Sequence, residues 1–114
     1  MRTGVVLVTL VLLSAGTASA ALVGVPYWSV TKVLHRIDGA RIHVGTRTLR
    51  IDGYTTLCAG RGPSIRREGV RRWRRFICTY TTFTKSGVDR DVDFRVRVLG
   101  TTRFAIYDAH WVGV

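Results

Sequence analysis

The 114-residue chain contains no asparagine and no glutamine, one glutamate, two lysines against sixteen arginines, two cysteines and two prolines. Each scarcity excludes something. The length leaves no room for a multidomain architecture or a large cofactor fold. Two cysteines and three scattered histidines (His35, His43, His110) match no zinc-ligand spacing. No serine, cysteine or lysine stands in a nucleophile arrangement, and no nuclease motif is present. Catalytic residues, a metal and a cofactor are therefore not expected. A minimal ribonuclease built on Glu68 with His43 or His110 is the enzymatic alternative, although no spacing supports it.

Acidic residues are also few, seven Asp plus Glu against eighteen Lys plus Arg, for a net charge of +11. A GC-rich coding bias accounts for arginine in place of lysine and for the missing amides, but not for the excess charge itself. Positive charge of this size favours anionic partners. Hydrophobic residues reach 46%, too many for a disordered polycation, so a folded domain is expected.

The first twenty residues read as an address. Arg2 is followed by the apolar run Val5 to Leu13, broken only by Thr9, and then by small residues ending in Ala18-Ser19-Ala20. This is the pattern of a secretory leader cleaved near Ala20, with an apolar stretch shorter than the roughly 20 residues that span a bilayer. No cysteine follows the run, which argues against a lipid-modified terminus. Residues 21–114 then form one small domain, secreted or held at the cell envelope, with 17 basic and 7 acidic side chains. A chain of that size buries roughly 60–70% of its unfolded surface, so its core is modest. In an oxidising compartment Cys58 and Cys78 have one intramolecular pairing, and closing that loop contributes about 3 kcal/mol in the chain-entropy account.

Hydrophobic spacing outlines the fold. Tyr27, Val30, Val33, Leu34 and Ile37 recur at helical intervals between Pro26 and Asp38-Gly39, predicting a helix over 27–37. From Ala40 the period falls to two, with a turn or bulge near Gly45-Thr46 and a second turn at Asp52-Gly53. Strands follow at 54–58 and 76–83. Val92, Phe94, Val96 and Val98 alternate with Asp93, Arg95 and Arg97, and a hairpin through Gly100-Thr101-Thr102 places Phe104 opposite Val98 and Ile106 opposite Val96. The expected architecture is α+β: one N-terminal helix on a curved antiparallel sheet of four to six short strands, with one disulfide. Arg36-Ile-Asp-Gly39 recurs as Arg50-Ile-Asp-Gly53 and reads as two similar Asp-Gly turns.

The candidate binding site is the arginine-rich stretch between the cysteines. Arg61, Arg66, Arg67, Arg71, Arg72, Arg74 and Arg75 face one acid, Glu68, with Trp73 among them. Gly60, Gly62, Pro63 and Gly69 suggest a loop framed by the disulfide. Guanidinium forks chelate phosphate or carboxylate, and Trp73 offers either a stacking plane or a cover for the core. Tyr27-Trp28 and His110-Trp111 leave aromatics at both ends, as a binding platform or as seals on the core. Asp89, Asp91 and Asp93 begin like a calcium loop, but Phe94 stands where such a loop needs glycine and Gly100 where it needs glutamate. Those carboxylates are expected instead to pair with arginines across a sheet. The expected partners are an anionic polymer or membrane surface, with nucleic acid bound without sequence preference; the alternative is a module that binds an extracellular protein, such as an inhibitor of a secreted enzyme anchored on Trp73.

The disulfide is directly checkable. Protein exported into an oxidising compartment and unfolded without reductant should show no titratable thiol; two free thiols would remove the bridge from the account.

Overall fold

The computed structural model describes residues 24–83, 87 and 89–113, so the expected leader at 1–20 lies outside the described residues. The chain runs through helix α1 (Val30–Ile37), strands β1 (Arg41–Val44) and β2 (Arg47–Arg50) and a 3-10 turn at Gly53–Thr55. Four longer strands follow: β3 (Thr56–Arg67), β4 (Val70–Phe83), β5 (Asp89–Val98) and β6 (Phe104–Trp111). The six strands form two sheets, a β1–β2 hairpin and a four-stranded antiparallel meander in the order β3-β4-β5-β6. The single, curved sheet of short strands is corrected on three points: there are two sheets, the larger is not strongly curled, and β4 alone is 14 residues long.

The helix is shorter than its apolar spacing predicts. Ser29 caps it, its hydroxyl accepting from the Lys32 amide at 3.1 Å, and His35 and Arg36 lie in the last turn, where positive charge suits the carbonyl end. Tyr27 and Trp28 stay outside the helix because the Trp28 backbone is already committed. Its N–H donates to the Trp73 carbonyl at 2.7 Å and its carbonyl accepts from the Trp73 N–H at 2.8 Å. The two Arg-Ile-Asp-Gly segments meet in space. The Gly39 amide donates to the Ile51 carbonyl at 2.8 Å, and the Gly53 amide to the Asp38 carboxylate at 2.9 Å. Both isoleucines, Ile37 and Ile51, are buried beneath this junction.

Alternation along the strands divides the meander into two faces. Phe76 and Cys78 on β4 and Val92, Phe94, Val96 and Val98 on β5 point inward. They bury against Trp28, Val33, Ile37, Ile42, Val44 and Ile51 from the helix, the small hairpin and the segments joining them. The last hairpin has the expected register, Val98 opposite Phe104 and Val96 opposite Ile106. Its loop closes with the Leu99 amide donating to the Arg103 carbonyl at 2.9 Å. No described residue on the other face is buried, so the sheet has one solvated side, as antiparallel sheets commonly do.

On that solvated side Asp91 and Asp93 do not pair with arginines as expected. Asp93 accepts from the Thr79 hydroxyl at 2.6 Å and Asp91 from the Thr81 hydroxyl at 2.9 Å, each from its register partner on β4. Their neighbours directly across on β4 are threonines, and Arg95 and Arg97 lie further along β5. The Asp89 side chain lies outside the described residues.

Trp28 is fully buried, with its ring edge-on to Phe104 at 6.3 Å between centroids. Its indole N–H finds no acceptor among the described residues. Trp28→Ala is expected to lower unfolding stability by about 3–5 kcal/mol in denaturant titrations. Trp28→Phe keeps much of the packing without the unpaired donor, and should cost clearly less.

Candidate anion-binding groove

The stretch between the half-cystines is a hairpin arm, which corrects the expected loop. β3 and β4 pair without interruption from Thr56↔Tyr80 to Arg61↔Arg75, slip at a bulge between Arg61 and Ser64, and resume from Ser64↔Trp73 to Arg67↔Val70. Glu68 and Gly69 make the two-residue turn, both at positive φ (55° and 75°), the sign pattern of a type I′ hairpin. The glycines and proline that suggest a loop have other uses. A Cβ on Gly60 would lie 1.9 Å from the Trp73 ring, so Gly60 makes room for that indole. Gly62, at φ 75°, and Pro63 form the bulge. The Cys58–Cys78 bridge joins directly opposed residues of this ladder, three rungs from the Arg61↔Arg75 pair.

The register stacks like charges. Arg61 lies opposite Arg75, and Arg75 is opposite Arg97 on the next strand. Three arginines thus occupy one rung across β3, β4 and β5, all exposed. Arg66 faces Arg71 nearer the turn. Like charges directly opposite one another destabilise a sheet, and no carboxylate lies within ion-pair distance of any of these residues among the described residues. The ion pair found there, Arg95 to Asp108 at 3.5 Å, draws on another arginine. It follows from a bulge on β6 that holds Asp108 at φ 56°.

At the base of the arm the rung borders an open cleft of about 470 Å³. Arg61, Arg74, Arg75 and Arg97 supply its charge, and Val25, Tyr27, Pro63, Val98 and Leu99 its apolar walls. Several of the cations are braced. The Arg74 guanidinium stacks 4.1 Å from the Tyr27 ring centre and Arg97 lies 5.7 Å from that of Tyr107. Arg75 reaches back over Gly62, where a Cβ would sit 2.6 Å from its terminal nitrogen. Arg61 and Arg75 also wall a smaller neighbouring cleft with Arg95 and Tyr107.

The seven arginines singled out in the sequence therefore divide. Arg61, Arg74 and Arg75 line the cleft. Arg66 and Arg71 bond within the arm, to the Gly69 carbonyl at 3.2 Å and the Ser64 hydroxyl at 2.8 Å. Arg67 flanks the turn, and Arg72 is half-buried opposite Ile65. Trp73 is no open stacking plane: its ring packs under Gly60 and edge-on to Phe76 at 6.1 Å. Tyr27, one of the terminal aromatics offered as a platform or a seal, lines the cleft, as does Arg97, for which the charged side of the β5 alternation is the one available signal in the sequence. The aromatic ends do not join as one platform. Trp28 is core, and Trp111 lies beneath the guanidiniums of Arg90 and Arg47, at 4.1 and 5.7 Å.

Glu68 sits at the turn of the arm, while His43 is on β1 and bonds Thr48, and His110 is on β6 near the Asp108 carbonyl. No hydrogen bond or ion pair joins Glu68 to a histidine among the described residues. Nor do the described residues gather three potential metal ligands. In comparisons with protein-family models, curated proteins and solved structures, the chain matches none.

Gly60→Ala tests the packing at the base of the arm. Displacing Trp73 should cost about 1–3 kcal/mol of stability and shift the tryptophan fluorescence; an unchanged melting curve would contradict the close approach.

Proposed function

We propose that the chain is an exported, cationic, non-catalytic binding domain that holds an acidic envelope polymer or another anionic surface through the basic arm. The observation that carries this reading is the rung Arg61–Arg75–Arg97, assembled without an acidic partner among the described residues. Such a rung opposes folding by self-repulsion, and a polyanion laid across it converts that cost into binding energy. Arg66, Arg67 and Arg71 continue the positive surface along the arm. Export is supported by the leader pattern, and the Cys58–Cys78 bridge accords with an oxidising compartment. The placement of Trp73 under Gly60 favours this reading over an inhibitor-like module anchored on that residue.

The test is retention of the oxidised protein on acidic wall polymer, anionic vesicles and RNA. Affinity should fall about tenfold or more between about 50 and about 200 mM salt, as for a ligand touching several arginines. Changing the exposed Arg66, Arg67, Arg71 and Arg75 together to Ala should weaken all retention without unfolding the protein, since these side chains take no part in the core. Absence of binding to every polyanion at low salt would overturn the proposal.

A further inference from the structure

The cleft at the base of the arm differs in chemistry from the arm itself, because it sets apolar walls beside its cations. We infer that it is a subsite for a phosphate monoester bearing an apolar or aromatic substituent, an inference that rests on the polyanion reading and narrows it. Three features point to this ligand. The rung brings three guanidiniums to one side of the sheet, and two of them, Arg61 and Arg75, stand opposite each other beside the bulge. A carboxylate has two oxygens and one charge, which a single guanidinium fork satisfies. A phosphate monoester has three free oxygens and nearly two charges, and matches several forks at once.

The second feature is charge segregation. Acids are present on the same sheet face, yet Asp91 and Asp93 are held by Thr81 and Thr79, and Asp108 by Arg95. The rung keeps no carboxylate within ion-pair distance among the described residues, and Arg97 and Arg75 are braced by Tyr107 and by the bulge at Gly62. Guanidiniums positioned before the ligand arrives lose less side-chain freedom on binding. The third feature is the opposite wall, where Val25, Pro63, Val98 and Leu99 offer apolar surface and Tyr27 a ring already covered on one side by Arg74. A bare phosphate ion has no use for that wall; an ester substituent does. The cleft's volume lies within the range of small-ligand sites.

The experiment uses the oxidised protein expressed from the full chain and follows backbone amide shifts and calorimetric binding. The probes are phenyl phosphate, inorganic phosphate, benzoate and phosphatidylcholine vesicles doped with phosphatidic acid. Phenyl phosphate should perturb Tyr27, Arg74, Val98 and Leu99 saturably and bind about tenfold more tightly than benzoate, a difference equal to one good charge-assisted contact. Arg97→Lys keeps the charge but removes the fork, and Arg97→Ala removes both. Each should weaken phenyl phosphate about tenfold, with the melting temperature near that of the parent. Arg50→Ala, exposed on β2 and outside the cleft lining, should leave phenyl phosphate affinity unchanged.

Saturable binding of the soluble ester, or of phosphatidate vesicles alone, supports the subsite, and the second result assigns a lipid source. Benzoate binding as well as phenyl phosphate, inorganic phosphate binding as well as the ester, or Arg97→Lys without effect overturns it. If salt-sensitive retention on polyanions persists while the cleft resonances stay still with every probe, this inference fails and the broader function stands. If neither signal appears, both fail.

Discussion

The pairing register of β3 with β4 is the constraint on which the rest of this structure depends. It is held at one end by the Glu68-Gly69 turn and near the other by the Cys58–Cys78 bridge between directly opposed residues. A slip of one residue would turn Phe76 and Cys78 out of the core and send the exposed side chains of β4 into it. It would also dissolve the arginine rung, which exists only because Arg61 meets Arg75 while Arg75 meets Arg97. The bridge therefore does more than restrict the unfolded chain. It pins an edge strand whose bulge and repelling arginines would otherwise weaken its attachment.

The arm outgrows the sheet. β5 ends its pairing with β4 at Arg75, so residues 70–74 have no neighbour on that side from the meander. Trp28 partly fills the gap, pairing its backbone with Trp73 and burying its ring against the core. The cleft forms at this handover, between the incoming segment at Val25–Tyr27 and the departing end of β5 at Arg97–Leu99. One geometric mismatch, a fourteen-residue strand beside a ten-residue one, explains why the helix starts late and why a groove opens there.

Charge is distributed along the open face by the same alternation that builds the core. Threonines on β4 occupy the aspartates of β5, and the β6 bulge supplies Asp108 to Arg95. The Arg61–Arg75–Arg97 rung has no such partner among the described residues. In a small domain with a modest core, keeping three like charges side by side is a standing destabilisation, and the proposed anion binding rests on relieving it.

The sequence by itself determined the parts governed by short-range periodicity. The inward face of β5, the register of the last hairpin, the turns at Gly45-Thr46 and Asp52, and the single disulfide all follow from alternation, turn chemistry and cysteine arithmetic. So did the arginine concentration, as composition. Only the tertiary structure decided what that concentration is. Gly60, Gly62 and Pro63 resemble loop residues because local signals cannot tell a turn from a bulge or from a glycine kept small for a distant indole. Glu68-Gly69 lacks the Asn or Asp that advertises a type I′ turn. The role of Arg97, 22 positions beyond Arg75, and of Tyr27, 47 before Arg74, rests on contacts between remote segments that no local pattern encodes. The same holds for Trp28, which falls within the predicted helix 27–37 but whose backbone is paired with Trp73 on β4.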